Sequence, residues 1–165
     1  MDHPLASRLR DAVERAARAL EALDDAAASR APAAGKWSPK EVLGHLIDSA
    51  LVNYQRFAQA AARGAAEFGT YDQQAFVALQ CPREAPWSEL VALWRLQNRH
   101  LARLVARLPA EALAQPLLER GLERVAWKLP APGRAATLEY FVGDYLGHLT
   151  HHLGQIAPGL GRNAD

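Results

Sequence analysis

The sequence holds a single cysteine, Cys81, which excludes an internal disulfide framework and suits a reducing compartment. Cys81 precedes Pro82 in an expected loop with no triad signature around it, so it reads as an ordinary thiol. An excess of charge of either sign is also missing. Lys+Arg at 19 against Asp+Glu at 18 leaves a net +1, and the arginines are interleaved with acids, so no nucleic-acid partner is expected. No apolar run approaches the roughly 18 residues of a membrane span. Met1-Asp2-His3-Pro4 shows no basic region followed by an apolar block, so no secretory leader is expected and the cytoplasm is the expected location. There is no glycine-rich phosphate cradle, no nucleophile elbow and no close pair of cysteine ligands.

What is present is helical. Hydrophobic residues at 50% and charged residues at 22% give an ordinary globular balance, and 165 residues suit one domain spanning 1–165. Four long helical segments carry most of the chain. The first is expected over Leu5 to Ala28, with Leu5, Leu9, Val13, Ala16, Leu20 and Leu23 facing inward, and Pro32 and Gly35 ending it. The second opens at Ser38-Pro39-Lys40-Glu41, a capping box with proline at the first helical position, and runs to about Ala62. The third spans roughly Ser88 to Leu108, with Leu90, Leu93, Trp94, Gln97, Leu101 and Leu104 inward and Pro109 as its stop. The fourth begins near Thr137 and ends before Pro158-Gly159.

The short link between the first two helices suits antiparallel neighbours. The long connector over residues 63–86 is expected to hold a helical turn in Asp72–Leu79 and can cross the bundle, so helices two and three could run parallel. The second long connection, 109–136, includes Leu117–Trp127, which is expected to be extended.

The chemistry concentrates in histidines. His148 and His152 are four apart, one turn above each other on one helix face. They continue the stripe of Leu138, Phe141 and Tyr145 at spacings of 3, 4, 3 and 4, where leucines would ordinarily sit. A buried imidazole pair needs partners, and a metal ion is the simplest one. His45 lies among apolar residues midway along the second helix and completes a three-nitrogen set with open coordination positions. Such a trio suits Zn, Ni, Fe or Cu.

Other residues are placed around it. His151, about 60° from His148 on a helical wheel, is expected to face substrate rather than ligate. Asp144, one turn before His148, is placed to orient that imidazole, and Asp48 stands in the same relation to His45. Asp48, Asp144 and His151 are the candidate proton-moving groups. Asn53 and Arg56 lie further along the second helix, with Arg56 on nearly the His45 face, where it could attract an anionic group. Tyr71 and Gln74 fall in the long connector, a common place for pocket lids, and Gln97 is a weaker candidate for pocket lining. Trp37 is expected to staple the helix start, and His100 to be structural or exposed.

Two blocks in order resemble the DinB-like (YfiT-like) superfamily of four-helix-bundle metalloenzymes. The first is the tryptophan-Ser-Pro opening at Trp37-Ser38-Pro39 followed by His45 and Asp48. The second is His148-Leu149-Thr150-His151-His152 with the trailing Gly154-Gln155-Ile156. Asp48-Ser49, Asn53, Arg56-Phe57 and Thr70-Tyr71-Asp72 are similar to the bacillithiol-transferase-like branch. The resemblance implies an all-α bundle running up-down-down-up and a divalent metal on His45, His148 and His152, zinc or nickel first, with iron or manganese admitted. It also implies transfer of a low-molecular-weight thiol to a small electrophile, or metal-assisted hydrolysis in sister branches, and a homodimer. In this expectation Asn53 and Arg56 bind the thiol co-substrate. Relatives commonly carry arginine where this chain has Leu153, which puts the identity of the thiol in question. The alternatives are a non-catalytic bundle that binds or senses metal and a purely structural bundle whose histidines satisfy one another.

Overall fold

Helix α1, Pro4–Glu21, starts with Pro4 at its first turn and His3 as its cap, the His3 Nδ1 accepting from the Leu5 amide at 3.3 Å. The computed structural model describes residues 3–63, 68–117 and 121–161. Leu9, Val13, Ala16, Ala17 and Leu20 form the buried face of α1. The expected continuation to Ala28 does not occur. Asp24 caps a separate short helix α2, Asp25–Ser29, by accepting from the Ala27 amide at 2.7 Å. A short acidic side chain that satisfies a backbone donor locally competes with continuing the helix.

Helix α3, Pro39–Arg63, begins with the capping box read from the sequence. The Ser38 amide donates to Glu41 Oε2 at 2.8 Å, and the Glu41 amide returns to Ser38 Oγ at 3.4 Å. The connector holds helix α4, Gln73–Gln80, capped by Asp72 and closed by Cys81 in the left-handed conformation at φ 47°. Helix α5 is Trp87–Val105, α6 Ala110–Leu113, α7 Leu122–Val125 and α8 Leu138–Ile156, the last capped by Thr137. A 3₁₀ turn, Pro158–Gly161, folds back so that Gly161 packs against Gly154, where a side chain would not fit.

Helix directions follow from side-chain pairings. Along α1 and α5, the Trp87 indole donates to the Leu20 carbonyl, while Arg95 and Arg99 reach back to Glu14. These helices are antiparallel. Along α3 and α8, His45 meets His148 and His152, while Phe57 meets Phe141, so this pair is antiparallel too. Between α3 and α5, Lys40 near the start of one is joined through Asp25 to the start of the other at Trp87. Further along, Tyr54 stacks on His100. They run parallel. The bundle is therefore up-down-down-up, with α4 in the crossover that returns the chain to the top.

Helices α1 and α3 are not direct neighbours as the short link suggests; they sit across the diagonal, with α5 and α8 between them. Two further expectations are corrected. Leu93 is 46% exposed, and the buried stripe of α5 runs instead through Leu90, Val91, Trp94, Asn98 and Leu101, with Asn98 fully buried. The Asn98 side chain supports this, since its Nδ2 donates to the Trp94 carbonyl and its Oδ1 accepts from Tyr145 at 2.6 Å. Leu117–Trp127 is not an extended run. An antiparallel bridge, Pro116 to Thr137, lies just before it, the Leu117 amide donates to the Ala136 carbonyl at 2.7 Å, and residues 122–125 are helix α7; residues 118–120 lie outside the described residues.

Trp94, Phe57, Phe68, Phe141, Leu43, Leu46 and Leu149 fill one core among the four long helices. Each such side chain contributes about 1.5–3 kcal/mol on burial. Lys40 is buried at 3% exposure, with its ammonium on Asp25 at 2.9 Å and on the Arg83 carbonyl at 3.3 Å. This pairing joins α2, α3 and the entry to α5, and no spacing signal in the sequence announces it. No described helix is long and apolar enough to cross a membrane.

Candidate metal centre

His45 comes from the second turn of α3 and is fully buried. His148 and His152, one turn apart, come from the C-terminal half of α8 and are partly buried. The antiparallel packing of α3 on α8 brings all three rings together. His45 Nε2 lies 3.2 Å from His148 Nε2, and the His152 ring is centred 4.8 Å from that of His45 and 4.5 Å from that of His148. One nitrogen from each ring falls within 4.8 Å of the others, close enough to hold one metal ion. Tetrahedral nitrogen ligands at about 2.05 Å from zinc stand about 3.3 Å apart, so the His45–His148 separation fits a shared ion as well as it fits a hydrogen bond.

The electrostatics agree with ligand chemistry. Burial lowers the pKa of His45 to about 4 and of His148 to about 3, with neighbouring imidazoles adding to the effect. Burial lowers that of His152 as well, against a hydrogen bond donated to Gln155 that raises it. All three rings are therefore neutral near pH 7, with lone pairs available. His152 Nδ1 donates to Gln155 Oε1 at 2.9 Å, which turns the Nε2 lone pair toward the other rings. Among the described residues the buried His45 Nδ1 has no hydrogen-bond partner to fix its tautomer, and a cation at Nε2 would place the proton on Nδ1. The donor set fits a divalent ion.

Beside the histidines lies a cavity of about 320 Å³ with His148 and His152 in its wall. Ser49, Asn53 and Arg56 of α3 line it, and Thr70, Tyr71 and Gln73 enter from the connector. Asn53 Nδ2 is committed to the Ser49 carbonyl at 2.9 Å, and Arg56 donates to the Gly69 carbonyl at 2.6 Å. Burial pushes the Tyr71 phenol up to about 12, so it remains a neutral donor. Gln74 is exposed at the start of α4, and neither it nor Gln97 belongs to the cavity wall.

Asp144 does not orient His148. Its carboxylate lines the cavity and accepts from the backbone amides of Trp127 and Lys128 at 2.7 and 2.9 Å. This bond holds the segment after α7 over the site. Trp127 then packs on His148 and His151, with ring centres 6.3 and 5.3 Å away. Gly147 makes room for it, since a Cβ there would lie 3.1 Å from the indole. Burial raises the Asp144 pKa, although the two amides oppose the shift. The hydrogen-bond partner of Asp48 is likewise not its histidine but Gln80, from which it accepts at 2.5 Å. His151 is exposed and lies outside the cavity wall, linked to His152 through Gln155.

Sequence reasoning assigned no site role to Trp37 or Trp127. The Trp37 ring lies 5.5 Å from His45, beyond its place at the helix start. Trp127 carries no local signal, because its position depends on Asp144, 17 residues away. Leu153 is buried and packs beside Ala12 and Ala16 of α1, so the departure from relatives at this position lies outside the cavity.

An up-down-down-up bundle with three facing imidazoles at the edge of a polar cavity defines the structural class. The chain belongs to the DinB superfamily, whose family model matches residues 8–156. It is 27% identical over 140 residues to the Bacillus subtilis protein named "Putative metal-dependent hydrolase YfiT", covering 84% of this chain and 72% of that one. It is also 27% identical over 129 residues to a Bacillus pumilus protein named "Putative metal-dependent hydrolase", covering 78% and 67%. The solved structure of Bacillus subtilis YfiT, described as a four-helix bundle of unusual topology, superposes with a TM-score of 0.73 at 23% identity. That match covers 96% of this chain and 84% of YfiT.

Proposed function

We propose that this chain is a metal-dependent enzyme that directs a nucleophile at a small molecule in the cavity, with hydrolysis as the leading reaction. The observation that carries this reading is the 3.2 Å approach of two neutral Nε2 atoms, from His45 and His148, beside the His152 ring at the cavity edge. These three residues would hold one divalent ion, zinc or nickel first, with iron or manganese as the other choices. When bound, such an ion supplies Lewis-acid chemistry and brings the pKa of a water or thiol near neutrality. The names of the two Bacillus relatives favour water as the nucleophile.

The chain's own residues divide the remaining work. Gln155 holds the His152 tautomer. Asp144 is the group we assign to proton movement, because it lines the cavity and its raised pKa favours taking up a proton. Asp48 and His151 stand outside the cavity wall and are weaker choices. Asn53 and Arg56 would orient the substrate, while Trp127 screens His148 from bulk water.

Thiol transfer is the second reading, and one observation favours it. Asn53, Arg56, Thr70 and Tyr71, which carry the resemblance to thiol transferases, all line the same cavity. Chelation followed by reconstitution with single metals, assayed with a nitrophenyl ester and with a thiol panel plus an aryl halide, separates the two. Metal-dependent ester cleavage without thiol conjugation supports hydrolysis; the reverse supports transfer. Stoichiometric metal without turnover in either assay would favour a metal-sensing bundle instead.

A further inference from the structure

Arg56 is 8% exposed, yet among the described residues no carboxylate lies within ion-pair distance of it. Its hydrogen bond among the described residues goes to the neutral Gly69 carbonyl. A guanidinium does not escape this cost by losing its proton: burial lowers its pKa, but the group stays charged near neutrality. An isolated buried cation is unfavourable unless something negative meets it. The acid among the described residues of the cavity wall is Asp144, and its two oxygens already accept from the Trp127 and Lys128 amides. Around Arg56 the wall adds donors, the neutral Tyr71 phenol and the Thr70 hydroxyl. The cavity thus holds a guanidinium whose charge no described carboxylate meets, together with unspent donors, next to the three imidazoles.

From this we infer that the substrate carries a compact oxyanion, a carboxylate or phosphate group, which Arg56 binds while the reacting bond is presented to the histidine cluster. The guanidinium fork matches the two oxygens of a carboxylate, and the anion supplies the charge that the protein withholds. The pairing forms only when the site is filled, so it selects anionic over neutral molecules of the same shape. This deepens the proposed function and rests on reading the cavity as the substrate site. It holds whether the nucleophile is water or a thiol.

The test is ligand-induced thermal stabilisation, read on protein as purified and on protein stripped with a chelator, with succinate, inorganic phosphate and the neutral diamide succinamide as probes. A ligand that binds the folded state raises its melting temperature in proportion to occupancy. Succinate or phosphate is expected to stabilise both forms, and succinamide neither. In Arg56→Gln the anion's affinity should fall by about tenfold or more, with Arg56→Lys intermediate. Stabilisation that vanishes on chelation would place the anion on the metal and overturn the assignment. So would equal stabilisation by succinamide, or full stabilisation in a folded Arg56→Gln. Should Arg56→Gln fail to fold, the comparison of succinate with succinamide in the unsubstituted protein decides alone. Elemental analysis of the same samples reports on the metal separately, so loss of one reading does not mask loss of the other.

Discussion

Gln155 accepts the Nδ1 hydrogen of His152 at 2.9 Å, from one turn further along α8. This bond decides which nitrogen of His152 faces His45 and His148, because an imidazole with Nδ1–H leaves its lone pair on Nε2. Partners of this kind typically hold 10–100-fold of metal affinity. Gln155→Leu should therefore weaken metal binding by roughly that factor while leaving the helical content unchanged. Competition with a metallochromic chelator measures it. An unchanged affinity would show that packing alone orients the ring.

Acid should destabilise the metal-free protein over a defined window. Burial depresses the folded-state pKa values of His45 and His148 to about 4 and about 3, below the ordinary imidazole value of 6.5. Between those limits the unfolded chain binds more protons than the folded one, so stability rises with pH and is lost as pH falls from about 6.5. Each histidine contributes a slope of at most about 1.4 kcal/mol per pH unit in that window. Urea unfolding at pH 7.5, 6 and 5 should show midpoints that fall progressively. His45→Gln combined with His148→Gln should flatten the trend. A slope of opposite sign would contradict the burial of neutral rings.

The Lys40–Asp25 pair is asymmetric in burial, and this ranks two substitutions. Lys40 is 3% exposed, whereas Asp25 is 61% exposed. Asp25→Ala strands a buried ammonium, while Lys40→Met leaves a carboxylate that water and the Trp87 amide can satisfy. Thermal melts should place Asp25→Ala below Lys40→Met. The reverse order would mean that water reaches Lys40 in the folded protein.

Much of this architecture can be read from residue patterns. The capping box at Ser38–Glu41, the cap at Thr137 and the stripe on α8 are local signals, and local hydrogen bonds and side-chain period determine them. His148 and His152 were legible as neighbours for the same reason. Their meeting with His45 rests on the pairing of α3 with α8, which no local spacing encodes; the trio is read from the shared need of interior imidazoles for a partner, and the resemblance to the superfamily agrees with it. The break after Glu21 depended on Asp24 preferring to cap, and Asn98 can lie in the interior of α5 because Tyr145 and the Trp94 carbonyl satisfy its amide. Trp127 and the true partners of Asp144 were not legible. They arise from a connector whose path is set by contacts with α8 rather than by its own sequence period.

The most direct test of the three-imidazole centre is elemental analysis of purified protein beside His152→Ala, with circular dichroism on both. The unsubstituted chain should hold about one equivalent of a divalent transition metal, and His152→Ala should hold none at matching helicity, since two nitrogens on one side of the ion leave the set incomplete. A folded His152→Ala that keeps its full equivalent, or an unsubstituted chain that binds none even after loading, would contradict the account.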